Sequence, residues 1–159
     1  MTEDAKFEDG GEKPLRLRAL EADDLPVLAA LAQDAVFPAN EMRFQRSKRR
    51  FAILMNRFRW EDADAAKQQR RPVERVQSVL SIEDVLSVAS QGVPRGDEDT
   101  VLSLLSIEFA PESDGAGQVL LTLAGDGALR LQVEALEITL TDVTKPYAAL
   151  SGKAPHHEI

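Results

Sequence analysis

At 159 residues the chain is long enough for one domain with its own core, since a chain of this size buries about two-thirds of its unfolded surface. It has no cysteine, which removes disulfides, thiolate nucleophiles and zinc sites with sulfur ligands. The formal charge is −8, but residues 43–75 hold 11 basic against 4 acidic side chains, so that segment is +7 and the remainder −15.

Residues 1–14 are acidic and glycine-containing, lack the pattern of a secretory signal, and read as a disordered tail. Leu15, Leu17 and Ala19 alternate with Arg16 and Arg18, which predicts a short strand. A helix should follow, started by Glu21 or Asp23, with Pro26 in its first turn and Leu25, Leu28, Leu31 and Ala32 at helical spacing. It should stop before Phe37-Pro38, because the residue before a proline avoids helical geometry.

From there the period becomes two. Strands are predicted at Met42–Arg46, Arg50–Trp60, Val76–Ile82 and Val85–Ala89, with Asp62–Pro72 a mobile loop or hairpin tip. A break at Gly92–Asp97 precedes a strand whose inward face is read as Val101, Leu105, Ile107 and Phe109. Val119–Leu123 turns at Gly125-Asp126-Gly127 into Leu129–Val133. The apolar set then changes parity at Glu134-Ala135, the signature of a β-bulge, and continues as Leu136, Ile138 and Leu140. Residues 148–159 read as an irregular tail around a body spanning 15–147.

The resulting fold class is α+β, mostly antiparallel β: one N-terminal helix, then a meander of about seven strands in a curved sheet or partial barrel. If that sheet is open, its edge would permit a homodimer. The longest apolar runs fall far below the roughly 18 residues that cross a bilayer, so a soluble, cytoplasmic protein without a membrane partner is expected.

Motifs for chemistry are scarce. Glu61-Asp62-x-Asp64 and Asp97-Glu98-Asp99 are acid clusters beside turn residues, without the spacing of a calcium loop. The two histidines, His156 and His157, stand near the end with no third ligand in sequence. No G-x-S-x-G elbow, phosphate loop or acetyl-CoA loop is present, and Gly115-Ala116-Gly117 leads into a strand rather than a helix. No cofactor and no metal is implied, and the balance leans away from an enzyme.

The segment Arg43–Trp60 interleaves arginines with Phe44, Phe51, Phe58 and Trp60, the residue types with which sheets hold single-stranded bases. Against RNA, Arg57-Phe58-Arg59-Trp60 alternates, which sends rings and charges to opposite faces, and the acidic remainder repels polyanions. The preferred reading is a non-enzymatic interaction or accessory module that binds another protein through an arginine-rich hairpin surface, with Arg43, Arg46, Arg49, Arg50, Arg57 and Arg59 as binding candidates. An RNA-binding sheet, or a partial barrel holding a small anionic ligand, stands as the alternative.

The stretch Leu15–Leu20 with Asp24-Leu25 and Gln33–Val36, the run Phe51–Glu61, and the ending Lys145-Pro146-Tyr147 together resemble a family of small alphaproteobacterial cytosolic proteins of unknown function. The resemblance runs from Leu15 through nearly the whole chain. It implies a bacterial cytosolic protein and transfers no functional residue.

Overall fold

The computed structural model describes residues 14–93 and 100–148. All but residue 14 of the expected tail 1–14 and all but residue 148 of the expected tail 148–159, together with the acid cluster Asp97–Asp99 and both histidines, lie outside the described residues.

The first strand, β1, is Arg16–Ala19. A 3₁₀ turn over Ala22–Asp24 leads into helix α1, Leu25–Ala32. The start is fixed by Asp24, whose carboxylate accepts the backbone N–H groups of Leu20 and Glu21 at 3.1 Å each. Pro26 sits in the first turn, where its missing N–H costs nothing, and Leu25, Leu28 and Ala32 form the buried stripe.

The strands that follow are β2 (Val36–Pro38), β3 (Met42–Gln45) and β4 (Arg50–Phe58). Helix α2 spans Ala63–Gln68, and β5 is Glu74–Ile82. Beyond it come β6 (Val85–Gln91), β7 (Val101–Pro111), β8 (Gly117–Leu123), β9 (Gly127–Val133), β10 (Ile138–Asp142) and β11 (Tyr147–Ala148). Every pairing among them is antiparallel, in the order β1-β10-β5-β4-β2-β7-β8-β9-β6, with β3 also on β4 and β11 also on β5. The mostly antiparallel β class holds and the sheet is not closed. Three details differ from expectation: a second short helix stands in place of the expected loop, the described residues form 11 strands rather than about seven, and the order is not a simple meander.

The departure from a meander has a local cause. The chain passes from β5 to β6 through Glu83-Asp84, and from β9 to β10 through residues 134–137. Because β5 pairs with β10 and β6 with β9, the four segments make one long ribbon bent at a corner. Asp84 turns that corner with φ 57°, and Glu83 N–H to Glu137 O (2.9 Å) and Glu134 N–H to Asp84 O (3.0 Å) carry the ladder around it. The parity change at Glu134-Ala135 is therefore this corner and not a bulge. Bulges occur instead in the pairings of β6 and of β7, between Val85 and Ser87 and between Leu104 and Ser106.

The β7 irregularity corrects its inward face. Leu102, Leu104 and Ile107 are buried, whereas Val101 and Leu105 are 65% and 37% exposed. Apolar residues at both parities hid the shift. One core cluster joins α1 to the inward faces of the sheet, including Ile53 and Met55 of β4, Leu80 of β5, Leu121 of β8, Leu131 of β9 and Leu140 of β10. No helix among the described residues is long and apolar enough to cross a membrane.

Candidate functional site

On β4, Phe51, Ile53 and Met55 point into the core, and the next residue in that phase is Arg57. The same substitution of polar for apolar occurs on β5 beside it and on β10 beyond β5. Ser78 continues the inward set of Leu80 and Ile82 on β5, and Asp142 continues Ile138 and Leu140 on β10. Antiparallel register then gathers the three at one end of the core.

Arg57 is 0% exposed and fully engaged. Its Nε donates to Ser78 Oγ and Asp142 Oδ1, each at 3.1 Å. Its Nη1 donates to Glu61 Oε1 at 2.9 Å and to the Phe58 carbonyl at 3.1 Å. Its Nη2 donates to Glu61 Oε2 at 2.8 Å and Asp142 Oδ2 at 3.1 Å. All five guanidinium N–H bonds are thus directed at acceptors. Ser78 Oγ donates to Asp142 Oδ1 at 2.7 Å, and the Leu15 N–H donates to Asp142 Oδ2 at 2.9 Å. The network ties β4, β5, β10 and the entry to β1 together.

Electrostatics follow from that geometry. Burial alone would lower the Arg57 pKa, but the hydrogen bonds and charges of Glu61 and Asp142 outweigh it and raise the pKa. Burial likewise pushes the Glu61 carboxyl up, and the Arg57 hydrogen bonds and charge overcome this to hold it below its ordinary value. Asp62 is lowered chiefly by its hydrogen bond from Arg71, at 2.7 Å. Arg59, 4% exposed, contacts Glu74, Asp62 and Glu61. The Glu61-Asp62 cluster is therefore an acceptor for three arginines. With every donor of Arg57 engaged and Ser78 facing a carboxylate and a guanidinium, the network holds the strands together. Among the described residues no group of three His, Cys, Asp or Glu could hold a metal ion.

The six binding candidates separate accordingly. Arg57 and Arg59 are buried in ion pairs, so they present no charge at the surface. Arg50 pairs with Glu83 at 2.9 Å and Arg49 with Glu134. Arg43 and Arg46 are exposed, as is Lys48, and among the described residues none of the three has an ion pair. All three lie on one arm, formed by β3, the 3₁₀ turn Arg46–Lys48 and the start of β4, where Arg49 adopts φ 55° to reverse the chain. Lys67 and Arg70 are exposed beyond the other end of β4. Nine residues of strand at about 3.3 Å each put the two ends on the order of 26–30 Å apart. The basic segment 43–75 is therefore not one patch but a cationic arm, a buried knot and a second basic end.

The aromatic residues do not form a stacking platform. Phe51 and Phe58 are buried, with Arg75 over the Phe58 ring at 4.6 Å from its centroid. Phe44 is half-buried with Arg46 over it at 5.0 Å, and Trp60 donates its indole N–H to the Gln33 carbonyl at 2.9 Å. Sequence reasoning missed Ser78 and Asp142. The available signal was a polar residue holding the inward phase of an apolar strand on each of three strands.

A family model, described as a protein of unknown function (DUF2948), matches residues 15–157. No curated protein and no solved structure matches the chain.

Proposed function

We propose that this chain, which belongs to the family described as protein of unknown function (DUF2948), is a non-enzymatic accessory protein that binds an acidic segment of another protein through the arm Met42–Arg50. The observation that carries this reading is a trio of exposed cations, Arg43, Arg46 and Lys48, with no carboxylate on them among the described residues, in a chain of net charge −8. Unpaired charge of one sign on a molecule of the other sign steers a complementary partner and fixes its orientation. The short turn Arg46–Lys48 and the ladder Met42↔Ile53 to Gln45↔Arg50 hold those side chains on a regular hairpin.

RNA is the weaker reading, because the rings near the arginines are covered and the overall charge opposes a polyanion. The resemblance of the Leu15–Tyr147 segments supports an alphaproteobacterial origin, and the lack of cysteine suits the reducing cytoplasm. The test is affinity purification from native lysate with and without nuclease, using the natural chain and the triple variant Arg43→Glu/Arg46→Glu/Lys48→Glu. The reading expects one protein partner retained regardless of nuclease and lost with the triple variant. Loss on nuclease treatment would transfer the function to nucleic acid.

A further inference from the structure

The two terminal strands of the sheet are protected unequally. At one end β1 is four residues long and carries Arg16 and Arg18, the kind of charge that discourages edge pairing. At the other end β6 has seven residues, Val85–Gln91, with neither a charge nor a proline. It pairs with β9 on one side, and among the described residues nothing pairs with its other side. Past the irregularity at Leu86, Ser87–Gln91 keeps regular register, and Ser87, Ala89, Ser90 and Gln91 are exposed. Such an edge is a template for main-chain hydrogen bonds.

Two neighbours of this edge specify what could add to it. The Val85 N–H donates to the Arg49 carbonyl at 2.8 Å, so the edge begins where the cationic turn Arg46–Lys48 ends. Beside the strand, a hollow of about 80 Å³ is lined by Ala89, Ser90, Gln91, Leu120, Ala128 and Arg130. The small side chains of Ala89 and Ala128 leave the space, and the exposed Arg130 has no ion pair among the described residues. A neutral edge with a cationic turn at its start, and with Arg130 one strand in and opposite the small Ala89, suits an acidic strand.

We propose that the segment bound by the arm is an extended acidic peptide that adds as a further strand to the free edge of β6, setting one carboxylate beside Arg130. This rests on the protein-binding reading above and names its partner's chemistry. Strand addition takes affinity from main-chain hydrogen bonds and specificity from hollows for alternate side chains. At about 3.3 Å per residue, a segment of roughly eight residues reaches from the hollow to the turn.

The test uses a 12-residue alternating Glu-Thr peptide, its fully N-methylated form, and amide hydrogen exchange of the complete chain. The natural chain should bind the peptide, and exchange at Ser87–Gln91 should slow. The N-methylated peptide should bind at least about tenfold more weakly, and Arg130→Glu should lower affinity by about tenfold. If binding needs Arg46 and Lys48 but survives N-methylation with β6 exchange unchanged, strand addition is overturned and the arm reading stands. If β6 is protected while Arg46→Glu/Lys48→Glu has no effect, the arm reading is overturned and strand addition stands. No binding of either peptide overturns the proposed acidic strand.

Discussion

Replacing Arg57 by methionine tests the buried network directly. The substitution keeps an unbranched apolar stem and removes the guanidinium, leaving Asp142 without its cation and Glu61 with only Arg59, at 4.0 Å. Glu61, with its side chain 31% exposed, can turn toward water, whereas Asp142 at 4% cannot. Asp142 keeps two donors, the Ser78 hydroxyl and the Leu15 N–H. Breaking a buried pair costs about 3–5 kcal/mol, and these surviving donors put the expected loss near the lower end, about 3 kcal/mol. For a chain of this size that corresponds to a fall in Tm of about 6–12 °C. Urea unfolding should show it as a lower midpoint at unchanged slope. The triple variant Arg57→Met/Ser78→Ala/Asp142→Leu removes all three inward polar groups together and should recover to within about 1 kcal/mol of the natural chain, since apolar replacement of a buried ion pair is often neutral. A loss below about 1 kcal/mol for Arg57→Met, or a triple variant as unstable as the single one, would refute the account of this network.

Glu61 titrates below its ordinary value of 4.5 in the folded state, so its stabilisation is fully present above that pH and is lost as pH falls through the lower folded value. Thermal melts between neutral and strongly acid pH should show that loss in the natural chain and a flatter profile in Glu61→Gln. The bulge in β7 predicts unequal costs for adjacent leucines: Leu104→Ala should cost about 2–5 kcal/mol, and Leu105→Ala within about 1 kcal/mol. Equal losses in chemical denaturation would contradict the assigned inward face. A Cβ on Gly117 would lie 2.5 Å from the Ala110 carbonyl oxygen and 2.6 Å from the Phe109 ring, so Gly117→Ala should cost about 1–3 kcal/mol. Gly115→Ala meets open space and bears only its φ of +84°, a cost of about 1 kcal/mol, so its melting point should fall less.

Most strands and the first helix were legible because their apolar periods are local. The short β2 and β11 were not read, since three and two residues carry no period. Helix α2 is hidden in the sequence because Ala63–Gln68 buries only Ala66 and so shows no stripe. Its alanines favour helix, yet propensity without a buried face is a weak signal. Strand order was hidden because the corner at Glu83-Asp84 looks like an ordinary hairpin turn, although β5 and β6 do not pair with each other. Arg57 was singled out for its charge, but its burial depends on Asp142, 85 residues away. What a one-dimensional charge count recorded as a +7 segment is, in three dimensions, a neutralised knot between two separate basic ends. Charge counts add along the chain, whereas recognition depends on which charges remain unpaired at the surface.

Charge reversal at the tip of the arm Met42–Arg50, set against charge reversal at the far end of β4, decides whether the arm makes the protein's contact. With the purified protein partner, Arg43→Glu/Arg46→Glu/Lys48→Glu and Lys67→Glu/Arg70→Glu are measured by titration calorimetry across a salt series. The account predicts that the arm variant loses binding and its salt dependence while the far-end variant keeps both. Equal loss in the two variants, or undiminished binding by the arm variant, would contradict it.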